Sequence, residues 1–279
     1  MDDSINAKRL ALFRRPWLVA AAILIGAGAL AHTQEPFVGQ EGKDVVYVPT
    51  PPEMVERMLD LAGVTPQDFV IDLGSGDGRI VTAAARRGAR ALGIEYDEGL
   101  VALARRLTAE QGVADKAVFL QADLFESDFS EATVLTTFLL SDVMLRLRER
   151  LFNLTPGTRL VSNSFTMEGW RPDQTDSIDG CTTWCTVHLW VVPAKVGGTW
   201  RLRDGDLVLK QDFQKLSGTL TMRTSGATPM PVADGRLRGD EITFTAGGAV
   251  YSGRVTGRAM KGTIVAGGPT AGWTADRVN

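Results

Sequence analysis

Val70-Ile71-Asp72-Leu73-Gly74-Ser75-Gly76-Asp77-Gly78 decides the fold of this chain. An apolar run of this length bounded by glycines reads as a buried strand. Asp72 sits at its carboxyl end, and three closely spaced glycines then open a tight turn. The turn leads into Arg79-Ile80-Val81-Thr82-Ala83-Ala84-Ala85-Arg86-Arg87, which reads as a helix. In an open α/β sheet, ligands lie outside the carboxyl ends of strands, and glycine there lets the backbone approach a ligand closely. A dinucleotide fingerprint requires G-x-G-x-x-G. Here the third glycine comes one residue early and Arg79 takes its place, which argues against a nicotinamide enzyme.

Working outward, strands and helices alternate. Phe69–Leu73 is followed by the helix Ile80–Arg87, Ala91–Glu95 by Leu100–Gln111, and Ala117–Gln121 by Ala132–Leu140, a fourth strand. Val143–Leu151 is an amphipathic helix, Arg159–Ser162 a fifth strand and Thr186–Val192 a later strand, antiparallel at the end of the sheet. This rhythm predicts an α/β fold with a doubly wound, mostly parallel sheet. Ahead of it, Thr50 and Glu53 fit a capping box with Pro51 at the first helical position, and Met54, Met58, Leu59 and Leu61 form the buried face of that helix. After Pro193, six short β-type segments are separated by Asp-Gly, Ser-Gly, Gly-Asp and Gly-Gly turns. They predict a small antiparallel sheet or barrel. The expected organisation is residues 1–31 as signal peptide or membrane anchor, 32–44 as linker, 45–194 as the α/β domain and 195–279 as a small β-rich domain.

The first thirty-one residues are read apart from the fold. Lys8, Arg9, Arg14 and Arg15 precede an uncharged apolar run from Trp17 to Ala31. That run is shorter than the roughly 20 residues needed to span a bilayer and resembles the h-region of a signal peptide. Ala29-Leu30-Ala31 provides a small-x-small cleavage site. With the basic residues ahead of the segment, residues 32–279 are expected outside the cytoplasm, in the cell envelope, either released by cleavage or anchored. The 279 residues carry a net charge of −3 and 44% hydrophobic residues. This balance supports a sizeable core and gives no basic footprint for nucleic acid. Two cysteines are too few for a disulfide framework, and with only two histidines a four-ligand zinc site would need help from carboxylates, so no metal is expected.

Three acids close three successive strands: Asp72, Glu95 in Gly93-Ile94-Glu95-Tyr96-Asp97, and Asp123 in Gln121-Ala122-Asp123-Leu124. Together with acid-x-G-x-G-x-G, they resemble the donor site of class I S-adenosylmethionine-dependent methyltransferases. In that reading Asp72 and the backbone of Gly74, Ser75 and Gly76 face the methionine end. Glu95 accepts from the ribose hydroxyls, and Asp123 takes the adenine amino group. Methyl transfer from a sulfonium needs an oriented, unprotonated acceptor. The end of the fourth strand, Phe138-Leu139-Leu140-Ser141-Asp142, makes Ser141 and Asp142 the candidates for holding it. Asp142 as a cap of the next helix is the alternative. The Asn/Asp-Pro-Pro-aromatic signature of nucleobase and glutamine-amide methyltransferases is absent.

Tyr47-Val48-Pro49-Thr50-Pro51, the glycine turn with Arg79-Ile80-Val81, Gly93-Ile94-Glu95, Asp123-Leu124-Phe125 and Pro156–Ser162 narrow this further. They are similar to the ATP synthase c-subunit lysine N-methyltransferase family and its bacterial relatives, over roughly residues 45–194. The resemblance implies a class I fold, S-adenosylmethionine as donor and protein lysine as acceptor. Ser141-Asp142-Val143-Met144 departs from the Pro and Asn that bacterial relatives often carry there. A small-molecule or lipid methyltransferase is a second reading. A third is an exported, non-catalytic ligand-binding module, motivated by a cytoplasmic donor meeting an export-type N-terminus. Cys181 and Cys185, if on one strand, lie about 13 Å apart at a rise near 3.3 Å per residue, too far for a disulfide. They are expected to be inert thiols, although a turn between them would permit a bond in an oxidising compartment. His188 is expected to be a packed residue, not a base.

Overall fold

The computed structural model describes residues 36–278. The N-terminal segment, residues 1–31, and the first residues of the linker lie outside the described residues. The described chain opens with α1 (Pro52–Leu61), followed by β1 (Phe69–Leu73), α2 (Arg79–Arg86), β2 (Arg90–Glu95), α3 (Glu98–Glu110) and β3 (Ala117–Gln121). β4 (Val134–Thr137), α4 (Ser141–Phe152), β5 (Arg159–Asn163), β6 (Gln174–Ser177) and β7 (Thr186–Val191) complete a seven-stranded sheet in the order β3-β2-β1-β4-β5-β7-β6. β1 to β5 run parallel, while β7 is antiparallel to both β5 and β6.

β1 lies at the centre with all five residues buried. A parallel strand covered on both faces reads as a continuous apolar run, and here its alternate side chains enter two separate cores. Val70 joins the core under α1, α2 and α3, built on Met54, Met58, Val81 and Ala104. Phe69, Ile71 and Leu73 join the other, under α4, with Val143, Leu147 and Leu151. Each fully buried large apolar side chain contributes about 1.5–3 kcal/mol. Truncating Leu147, fully buried in α4, would cost about 2–5 kcal/mol through the cavity left behind.

Several local expectations are corrected. Thr50 does not cap α1. Pro51 is the N-cap residue, no side chain bonds there, and Pro52 opens the helix. Two consecutive prolines already set the backbone, and the buried Thr50 instead lends its carbonyl to Arg79 Nη1 at 2.7 Å. β4 stops at Thr137, not Leu140, and α4 starts at Ser141, with Leu140 as its N-cap. The linker is folded over its described part. Gly39 N donates to Tyr47 O at 2.8 Å and Tyr47 N to Gln40 O at 3.0 Å, bonds that leave no periodic mark in the sequence. β6, at the sheet edge with three of its four polar residues exposed, has no apolar pattern to betray it.

Cys181 and Cys185 form a disulfide, with Cα atoms 5.6 Å apart. The inert-thiol expectation assumes an extended segment. The chain in fact turns there, with Trp184 at φ 59°, and so brings the two Cβ atoms together ahead of β7.

Beyond Ala194 the chain forms a closed antiparallel barrel. Its strands are β8 (Gly198–Leu202), β9 (Gly205–Asp212), β10 (Lys215–Met222), β11 (Met230–Arg238), β12 (Glu241–Ala246), β13 (Ala249–Thr256), β14 (Ala259–Val265) and β15 (Ala271–Arg277). Six segments are legible in the sequence. β11 is hidden by Pro231 and by a bulge at Asp234-Gly235, and β15 by its glycine and charged residues. Closure leaves no sheet edge unpaired. An eight-stranded barrel is just wide enough for side chains to fill, and Trp200, Phe244, Tyr251 and Trp273 fill this one, with the Phe244 and Tyr251 rings stacked at 4.6 Å. The barrel docks on the sheet through Phe213, stacked on Trp170 at 5.2 Å, through Gln214 Nε2 donating to Arg171 O at 2.6 Å, and through Arg236 paired with the buried Asp173 at 2.7 Å.

Candidate functional site

The turn after β1 is tied to the end of β2. Gly74 N and Ser75 N both donate to Ile94 O, at 2.9 and 3.1 Å. Gly76 and Gly78 take φ of 53° and 77°, where L side chains are strained. A Cβ on Gly76 would stand 2.9 Å from the Tyr47 ring, and one on Gly78 2.5 Å from Phe119. The glycines therefore serve both the turn and close packing. Over this turn lies a cavity of about 330 Å³, walled by the strand ends on one side and residues 40–50 on the other.

Asp72, Gly74, Ser75, Gly76, Glu95 and Asp123 all line this cavity, so the structure brings together every expected donor-binding residue. Glu95 Oε2 accepts from Gly76 N and Oε1 from Asp97 N, each at 2.9 Å. Each carboxylate oxygen has two lone pairs, so both retain capacity for a diol. Asp123 accepts from Phe125 N at 2.8 Å and pairs with Lys43. The Lys43 ammonium holds its carboxyl below the usual range. Ser75 Oγ is buried with no hydrogen-bond partner among the described residues, a polar atom that a ligand could satisfy.

Asp72 is the electrostatic anomaly. The residue is 3% exposed, and Thr136 Oγ1 donates to its carboxylate at 2.7 Å. Burial pushes its pKa up to about 8, and the negative charges of Glu95 and Asp77 add to the rise. Asp77 is neutralised by Arg79 and Asp123 by Lys43, so Glu95 is the carboxylate of the strand ends left to face a ligand's hydroxyl or amino donors.

Ser141 and Asp142 stand elsewhere. Both are exposed on the first turn of α4 and neither lines the cavity. Phe138 and Leu139 represent the end of β4 there instead. His188 is half-buried on β7, its pKa lowered by burial, with Nδ1 3.0 Å from Thr175 Oγ1. Among the described residues no cluster of three His, Cys, Asp or Glu could hold a metal.

Sequence reasoning missed the wall opposite the strands. Tyr47 packs on Gly76, and burial followed by the Asp77 charge pushes its phenol up to about 12. Arg79 Nε bridges both Asp77 oxygens at 2.9 and 3.1 Å while its Nη1 reaches Thr50 O, so it clamps the segment before α1 to the glycine turn. Lys43 lies 4.8 Å over the Tyr96 ring. Arg79, in the third-glycine place of a dinucleotide fingerprint, was the signal available for this clamp. Lys43 left none.

Comparison with known proteins places this geometry. Residues 72–174 match the family described as the ANTKMT methyltransferase domain. A protein-lysine N-methyltransferase of Saccharolobus islandicus is 40% identical over 151 residues, 53% of this chain and 94% of that protein. The adenine nucleotide translocase lysine N-methyltransferase of Mus musculus is 33% identical over 177 residues, 60% of this chain and 75% of its own. The ATP synthase c-subunit lysine N-methyltransferase of Rattus norvegicus is 32% identical over 139 residues, 50% of this chain and 64% of its own. Among solved structures, an RNA methyltransferase of Salinibacter ruber in complex with S-adenosyl-L-homocysteine is 52% identical with a TM-score of 0.51 and covers 53% of this chain and 96% of its own.

Proposed function

The chain belongs to the ANTKMT methyltransferase family and is an S-adenosylmethionine-dependent methyltransferase, and from that premise we propose that it N-methylates lysine side chains of proteins. The observation that carries this reading is the 40% identity to a protein-lysine N-methyltransferase along 94% of that enzyme's length.

The cavity fits the donor by its own chemistry. Glu95 would hold the ribose hydroxyls, Asp123 the adenine amino group, and the Gly74–Gly76 turn with Asp72 and Ser75 the methionine end. Ser75 Oγ would gain the partner it lacks among the described residues. S-adenosylmethionine, when bound, supplies an electrophilic methyl group on a sulfonium. A lysine acceptor, with an ordinary pKa near 10.4, must arrive unprotonated. The acceptor reaches the donor beside the end of β4, where the buried apolar side chain of Leu139 disfavours an ammonium and so favours its neutral form.

The test is transfer of labelled methyl groups from S-adenosylmethionine to protein fractions, followed by acid hydrolysis and chromatography of methyl-lysines. Label in methyl-lysine supports the reading. Label confined to RNA, as the description of the Salinibacter ruber structure would suggest, or to solvent extracts, overturns it. The net charge of −3 disfavours RNA.

We also propose that the enzyme works in the cell envelope. The reading is supported by the basic-then-apolar N-terminus and by the Cys181–Cys185 disulfide, since disulfides persist in oxidising compartments. No helix among the described residues is long and apolar enough to cross a membrane. A fusion to a reporter active only outside the cytoplasm tests it: activity is expected, and silence of an expressed fusion overturns it.

A further inference from the structure

Three rings meet at the carboxyl ends of β4 and β5 and ahead of β7. Phe138 follows β4, Phe165 follows β5, and Trp184 lies in the loop closed by Cys181–Cys185 before β7. Their centroids form a triangle of 5.3 Å (Phe138–Trp184), 5.5 Å (Phe165–Trp184) and 5.9 Å (Phe138–Phe165). None is fully buried, and Trp184 is 39% exposed. Phe138 is shared: it also lines the donor cavity. Along the sheet order β3-β2-β1-β4-β5-β7, Asp123 marks one end of that cavity and Phe138 the other. The aromatic triangle therefore continues the cavity away from the adenine end.

Two further features mark this as a built site. Of the four non-glycine residues with positive φ among the described residues, two hold the triangle: Ser164 at 62°, next to Phe165, and Trp184 itself at 59°. Such backbone costs of the order of 1–3 kcal/mol per residue and clusters at ligand clamps. The disulfide ties the Trp184 loop in place.

We propose that Phe138, Phe165 and Trp184 form an aromatic platform that receives the acceptor's ammonium or methylammonium group. The proposal rests on the lysine reading and gives it a specificity surface. Because the rings pack on one another, the cation lies on their exposed face and not between them. Ring faces attract a cation through their quadrupole, and apolar rings suit the four-carbon stem of lysine. A methylated product keeps its charge and gains apolar surface, so the platform accepts successive methylation states.

The test uses the full-length protein and calorimetric titration with Nα-acetyl-trimethyllysine amide, alongside its neutral isostere in which a tert-butyl group replaces trimethylammonium. The cation is expected to bind about tenfold more tightly than the isostere, and Trp184→Leu and Phe165→Leu each to weaken it about tenfold. Affinity for S-adenosylmethionine stays within about twofold in both variants, because neither ring lines the donor cavity. Equal binding of cation and isostere overturns the platform, as does wild-type cation affinity in a variant that still binds the donor. If Trp184→Leu loses donor binding through misfolding, Phe165→Leu decides. A discriminating platform in an enzyme whose labelled products contain no methyl-lysine would support the platform and overturn only the lysine reading.

Discussion

Replacing Asp72 by Asn should stabilise the protein while damaging its donor site. Folded Asp72 keeps its proton until about pH 8, whereas the ordinary carboxylate value is 3.8. Between those values the folded state binds more protons than the unfolded state, so rising pH favours unfolding. No penalty exists below the ordinary value, and the full penalty is present above the folded one. Each pH unit in the window costs about 1.4 kcal/mol, so holding the proton at pH 7 costs the folded chain about 4 kcal/mol. Asn removes that cost and can keep the hydrogen bond from Thr136, but its buried amide N–H groups reclaim about 1–3 kcal/mol. The net gain expected at pH 7 is about 1–3 kcal/mol. The sharper readout is the slope. Denaturant unfolding of both proteins from pH 5 to 9 should show the variant's advantage growing by about 1.4 kcal/mol per unit to pH 8 and then levelling. Donor affinity should fall about tenfold or more in the same variant. An advantage that is flat or falls between pH 5 and 8 would refute the assignment of a proton to buried Asp72.

Other perturbations separate the parts of the site. Glu95→Ala removes the acceptor of Gly76 N and Asp97 N and should weaken S-adenosylmethionine binding about tenfold by calorimetry; unchanged affinity would refute its role. Gly78→Ala forces a Cβ to 2.5 Å from Phe119 and 2.8 Å from Ala104, and should lower stability by about 1–3 kcal/mol in thermal unfolding. Reducing Cys181–Cys185 should leave donor affinity within about twofold while loosening the Trp184 loop, seen as faster local hydrogen exchange; a large loss of donor binding would contradict the placement of that loop outside the cavity.

How far the sequence can be read follows from where each signal resides. β1 is legible because both its faces are buried, giving an unbroken apolar run that ends in an acid and glycines. Glu95 and Asp123 are legible because parallel neighbours bring successive strand ends to one edge. The end of β4 is misjudged because Phe138-Leu139-Leu140 is as apolar as a strand, yet leaves the sheet to wall the cavity and cap α4. The disulfide is disfavoured because it depends on a local turn that no residue in Cys-Thr-Thr-Trp-Cys announces.

The sequence by itself determined the donor chemistry and the α/β class. Both are written in short-range patterns, namely the period of apolar residues and the spacing of Asp72, Gly74, Gly76 and Gly78. Tertiary structure alone decided which residues face those groups across the cavity. Lys43 reaches Asp123 across eighty positions, Tyr47 covers Gly76, and Phe138, Phe165 and Trp184 meet from three separate strand ends. It also decided that eight irregular strands close into a filled barrel. Periodicity reports only which side of an element is buried. Which distant partner covers it is set by strand register and loop closure, and those become visible only once the chain has folded.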